Sequence, residues 1–122
     1  MAVEFTPTKD YLYIDVNGVW DLETAKITQN NAMELMGKHD LSKLILDISK
    51  VENQFTFPEV NEINMRVPEI FPPHFIHAII FSYDVFSKLE IEYTDTMSFN
   101  RGVNIKLFKK FEAAEEWLLK QT

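Results

Sequence analysis

Thr56 and Glu59 stand three residues apart at the head of an amphipathic run. At that spacing each side chain can satisfy a backbone N–H at a helix start, the arrangement of a capping box. A hydroxyl so placed could also carry a phosphate, because the positive end of a helix dipole and its free N–H groups stabilise an anion. The phosphate would bring roughly −1.5 to −2 charges to the loop. Asp47 and Ser49 close the apolar stretch just before it, at the carboxyl end of a strand, where α/β proteins commonly place ligands. The alternative for this pair is a turn in which both side chains cap local backbone groups. Phe55, Phe57, Phe71, Phe75 and Phe81 concentrate aromatic surface nearby, either as core or as the wall of an apolar pocket or interface. Phe57, in the capping loop, is expected to be an exposed anchor.

Other chemistry finds little apparatus. His74 and His77 are three apart across an extended segment and project to opposite faces, and His39 falls in a turn, so no metal site is expected. Glu90, Glu92, Glu112, Glu115 and Glu116 read as exposed helix faces. There is no Gly-x-Ser-x-Gly elbow, no glycine loop for phosphate and no His-Glu pair on a helix, and the chain has only three glycines. Neither enzymatic activity nor a cofactor is expected. The absence of cysteine excludes disulfides and thiolate chemistry. A formal net charge of −7 disfavours nucleic acid and anionic membrane surfaces as partners. The opening MAVEFTPTKDY lacks the pattern of a signal peptide, and no apolar run reaches the roughly 18 residues of a membrane span. A cytoplasmic protein without membrane insertion is expected, with residues 1–122 forming a single domain.

Elements that would position these residues follow from periodicity. Tyr11–Val16 alternates apolar and polar residues as a strand, Val3–Thr6 can pair with it, and Asn17-Gly18 marks a turn. Asp21 caps a helix over Leu22–Met36, which Gly37 ends in the C′ position. Lys43–Ile48 is the next strand. Phe55 and Val60 stand as a hydrophobic staple around the capping box, with Pro58 in the first turn of a helix that should end or kink at Val67, before Pro68. Phe75–Phe81, apolar on both faces, is expected to be central. A helix over Asp84–Asn100, with Val85, Phe86, Leu89, Tyr93 and Met97 on one stripe, leads to the strand Val103–Phe108. The last helix, Phe111–Gln121, presents Phe111, Ala114, Trp117 and Leu118. The order is that of an α/β domain with a mostly parallel sheet of four to five strands and four helices. Polar residues on one side of the strands, Tyr13, Asp15, Lys43, Asp47 and Lys106, imply helices mainly on one face, the other partly open or covered by a partner. That leaves room for a homodimer.

This order, over almost the whole chain, resembles the SpoIIAA-like group that holds STAS domains and STAS/Sec14-type uncharacterised bacterial proteins. Leu46-Asp47-Ile48-Ser49-Lys50-Val51 is similar to the Leu-Asp-Leu-Ser-x-Val strand end of anti-sigma factor antagonists. Leu107 to Leu118, with Phe108, Ala114 and Trp117-Leu118, is similar to the closing strand and helix of the uncharacterised group. The resemblance implies a β/α superhelix and a non-enzymatic interaction or regulatory domain. Its partner would be a protein, a regulatory kinase among the candidates. In the antagonists an Asp-Ser pair follows the strand end and the serine is phosphorylated; here Phe55 and Thr56 fall at those positions, and Pro58 replaces a small residue. The expected partner-binding residues are Asp47, Ser49, Phe55, Thr56, Phe57 and Glu59. The alternative is a module for a small apolar ligand or lipid, as in Sec14-type relatives.

Overall fold

The computed structural model describes residues 2–53, 55–82 and 104–121, with Phe57 described by its backbone alone. Strands β1 (Ala2–Pro7) and β2 (Leu12–Gly18) form an antiparallel pair. Helix α1 (Leu22–Lys38) leads to β3 (Lys43–Val51), and α2 (Phe57–Ile70) leads to β4 (Ile76–Ile80). Strand β5 (Asn104–Phe108) and helix α3 (Phe111–Leu119) close the chain. The sheet order is β1-β2-β3-β4-β5, and every pair after the first is parallel. The mixed, mostly parallel sheet with helices is as expected. The middle strand, however, is β3, with β4 next to it. The expected helix Asp84–Asn100 lies outside the described residues.

Strand alternation creates two cores. On one face Leu12, Ile14 and Val16 join Leu44 and Ile48 beneath α1 and α2, which contribute Ala25, Ala32, Met36, Val60 and Val67. On the other, Ile45, Ile76, Ala78 and Ile80 meet Ala114 and Leu118 of α3. Each buried aliphatic side chain contributes about 1.5–3 kcal/mol relative to exposure, so neither helix layer is decorative. Two of the three described helices therefore share a face, and α3 occupies the other. The polar strand residues find their partners on α3's face: Lys43 Nζ donates to the Gln121 carbonyl at 2.6 Å, and Lys106 lies over the rings of Phe108 and Trp117.

Two helix ends depart from expectation. Helix α1 passes through Gly37 and ends at the cap His39, while Asp40 takes the left-handed conformation at φ 54°. Leu41 N–H reaches back to the Met36 carbonyl at 2.9 Å, and His39 N–H to that of Leu35 at 3.1 Å. This is a Schellman-type closure with aspartate where glycine is usual, tolerated because a short polar side chain suffers least at positive φ. Gly37 is thus an ordinary helical residue, and a Cβ built on it would meet nothing within 4 Å. Gly37→Ala should accordingly stabilise the protein by about 0.5–1 kcal/mol. A rise in the urea midpoint at unchanged slope checks this. Helix α2 likewise runs past Pro68 to Ile70. Pro68 is exposed and within one turn of the end, so its missing N–H costs a single bond, and Phe71 N–H still closes onto Val67 at 2.9 Å.

Candidate functional site

The head of α2 is built as the spacing demanded. Thr56 is the N-cap with extended backbone; its hydroxyl accepts the Glu59 N–H at 3.4 Å, and Glu59 Oε1 accepts the Thr56 N–H at 2.9 Å. The same Oε1 also accepts the Thr56 hydroxyl at 2.9 Å. Thr56 and Pro58 are exposed. Phe55, by contrast, is only 2 % exposed and meets Trp20 edge to face, with ring centroids 5.4 Å apart. It belongs to the core together with Val60, Phe71, Phe75 and Phe81, so Phe55 offers no surface to a partner. The side chain of Phe57, the expected anchor, lies outside what the structure describes.

Asp47 and Ser49 form a separate group on the sheet face that α3 covers. Asp47 Oδ1 accepts from the Ser49 N–H at 3.1 Å and from its hydroxyl at 2.6 Å, while Oδ2 accepts the Tyr13 hydroxyl at 2.9 Å. The register supplies the reason. Asp15 pairs with Asp47, but Asn17 pairs with Lys50, so β3 carries one extra residue. This bulge turns Ser49 back onto Asp47 and brings Lys50 within 3.5 Å of Asp15. Asp47 is buried, and its hydrogen bonds are those of a local turn plus one tyrosine. Five of the six expected residues thus fall in three adjoining places: Thr56 and Glu59 share a cap, Asp47 and Ser49 a bulge, and Phe55 lies in the core.

Sequence reasoning missed the piece that fixes the exposed loop. Asn53 Oδ1 accepts the Trp20 N–H at 2.7 Å, and Asn53 Nδ2 donates to the Trp20 carbonyl at 3.0 Å. Glu52 N–H adds a bond to the Gly18 carbonyl at 2.8 Å. The β2–α1 turn and the β3–α2 loop are thereby joined at the carboxyl edge of the sheet. Val19, 57 % exposed, sits in that turn between the two clamped residues. Among the described residues, the surface at this edge includes Val19, Glu52, Thr56 and Pro58. The one signal for it in the sequence is an asparagine and a tryptophan, each beside a turn.

Between the α1/α2 layer and the sheet lies a cavity of about 60 Å³, bordered by Trp20, Ile63, Val67, Phe71, His77 and Ile105 among others. It has room for a few water molecules. Among the described residues no helix is long and apolar enough to cross a membrane.

Solved structures share this architecture. An anti-sigma factor antagonist from Mycobacterium paratuberculosis superposes with a TM-score of 0.68 at 14% identity, over 98% of this chain and 94% of that one. SpoIIAA in its unphosphorylated form gives 0.60 at 12% identity, over 98% and 99%. An uncharacterised protein of the DUF3478 family with a SpoIIAA-like fold, from Shewanella loihica, gives 0.55 at 16% identity, over 96% and 92%. No family model matches the sequence, and comparison with curated proteins finds no match either. The chain has the SpoIIAA-like fold.

Proposed function

We propose that this protein is a regulatory STAS-type domain that acts by binding another protein through the clamped edge that Val19, Glu52, Thr56 and Pro58 present. The observation that carries the reading is the Asn53 clamp, which holds an exposed apolar residue and an exposed helix N-terminus in one fixed surface. Anti-sigma factor antagonists of the same fold support it. Asp47, Ser49 and Phe55 contribute by holding the edge in place, and Thr56, Phe57 and Glu59 by forming it.

Thr56 is the residue through which the surface would be switched. A phosphate on its hydroxyl takes the place of the Glu59 carboxylate before the helix N–H groups, and like-charge repulsion drives Glu59 outward. The neutral cap itself is worth about 1 kcal/mol, so Thr56→Ala should lower stability by that amount and leave the fold intact. Kinases of the type that act on the antagonists, supplied with ATP, should phosphorylate Thr56, as read by peptide mass spectrometry. A photo-crosslinking residue at Val19 should capture a protein in cells, whereas one at Ile27, equally exposed at 56 % on the outer side of α1, should not. Equal capture at both positions would defeat the docking assignment, and phosphate found only elsewhere would defeat the switch. The apolar-ligand alternative has less to rest on, because about 60 Å³ falls far short of the roughly 300 Å³ at the small end of ligand pockets.

A further inference from the structure

Beneath α2 the core is incompletely filled. The cavity of about 60 Å³ beside His77 adjoins a smaller one of about 30 Å³, and Trp20, Leu46, Ile63, Asn64 and Ile79 border both. Leu46, Ile63, Ile79 and Ile105 pack against this core yet stay only partly buried, although Leu46 lies on the middle strand of the sheet. The void is thus walled by apolar side chains, and the exposure left on them gives a small molecule a way in.

The polar groups around it are satisfied, with one exception. The Thr28 hydroxyl donates to the Thr24 carbonyl at 2.7 Å and accepts the Trp20 indole N–H at 3.3 Å. The Gln29 amide donates to the Ile63 carbonyl and accepts from Arg66 Nε, each at 3.1 Å. Asn64 has a partner too. His77, only 5 % exposed, lines the cavity and meets the Phe71 ring edge to face, but no described residue gives its ring a hydrogen bond. A neutral imidazole so placed leaves one N–H donor and one acceptor nitrogen unmatched. That costs stability, which a ligand with a matching group would relieve.

Water answers this poorly. A buried water needs two to four polar partners, and here it would find a single ring. A cavity of about 150 Å³ takes benzene, about 25 Å³ per carbon, so the two adjoining voids suit about three or four non-hydrogen atoms. Lipids and drug-sized ligands, which need roughly 300 Å³ or more, are too large. A hydroxyl serves His77 whichever ring nitrogen faces the void, because it donates to one and accepts from the other. Ions of the same size are disfavoured, since among the described residues no carboxylate, lysine or arginine lines the void.

We propose that the void beneath α2 is a binding site for a small neutral alcohol of about three or four non-hydrogen atoms. His77 holds the hydroxyl, and the carbon chain lies among Leu46, Ile63 and Ile79. The site does not depend on the protein-binding edge.

An NMR titration with 1-propanol at pH 7 tests this. Saturable shifts are expected at Leu46, Ile63, His77 and Ile79. The comparison ligand 1-chloropropane, of like size but without the hydroxyl, should bind at least fivefold more weakly, and 1-hexanol should not enter the void. Two variants separate the hydrogen bond from the space. His77→Leu keeps the site apolar and should weaken 1-propanol at least fivefold while leaving 1-chloropropane within twofold. Ile63→Phe extends a ring into the void from a partly buried wall and should abolish saturable binding of both, with the amide spectrum otherwise preserved. Undiminished 1-propanol binding by His77→Leu, equal binding of 1-chloropropane by the parent, or shifts that never saturate and survive Ile63→Phe would each overturn the assignment.

Discussion

Phe55→Ala should cost about 3–5 kcal/mol of folding stability, the range for removing a fully buried phenyl group whose surroundings relax only in part. Phe55 is among the largest fully buried side chains and is seated edge to face on Trp20, whose backbone is gripped by Asn53. Losing the ring opens a void beneath both loops of the clamped edge at once. Phe55→Leu retains most of the volume and should cost less than about 1.5 kcal/mol. A double-mutant cycle with Trp20→Leu should return a coupling of about 0.5–1.5 kcal/mol beyond the lost area, as edge-to-face pairs give. Urea denaturation of the parent, the three single variants and the double variant measures all of this. A cost under 1 kcal/mol for Phe55→Ala would mean the ring is not core. Because such a variant also displaces Val19 and Asn53, weakened partner binding by Phe55→Ala would report the support of the surface, whereas Val19→Asp would report the surface itself.

The position of Phe55 also shows where sequence patterns stop. Strands β2 and β3 were legible because alternation of Leu12, Ile14 and Val16 with Tyr13 and Asp15 is a local property of the chain. The capping box was legible for the same reason: Thr56 and Glu59 are three residues apart and need nothing else. The Asn53 clamp was not, since its two bonds join residues 33 positions apart and leave no periodicity. Helix α3 shows a third case. Its stripe of Ala114 and Leu118 announces that one side is buried, but a stripe is silent about which face of the sheet receives it. The polar residues Tyr13, Lys43, Asp47 and Lys106 correctly signalled an unusual face, and the signal was only half understood. That face is covered by α3 over part of its width, with long side chains making the polar bonds. The end of α1 was misread because Gly37 looks like a stop signal, whereas the helix ends where the Schellman closure brings Leu41 back to the core.

His77 gives the second large effect, and here the sign is decided by burial. It sits on β4 between Leu44 and Ile105, edge-on to the Phe71 ring at 4.9 Å, beside a cavity whose lining includes no carboxylate among the described residues. Burial lowers its pKa from the ordinary 6.5 to about 4, because an imidazolium there loses its water. Above pH 6.5 the imidazole is neutral in both folded and unfolded chains, and the group contributes no pH dependence. As pH falls below 6.5 the unfolded chain takes up the proton and the folded chain does not, so stability is lost progressively until the folded imidazole itself titrates near 4. At about 1.36 kcal/mol per unit of difference, the interval amounts to about 3 kcal/mol. Other groups titrate in the same range, so the comparison that isolates His77 is with His77→Leu, measured by urea denaturation at pH 7, 6, 5 and 4. The variant should match or exceed the parent at pH 7 and lead it by about 3 kcal/mol at pH 4. Parallel stability curves for the two proteins would mean that His77 meets water or a partner when folded, and that the cavity beside it is not the dry, uncharged space its lining describes.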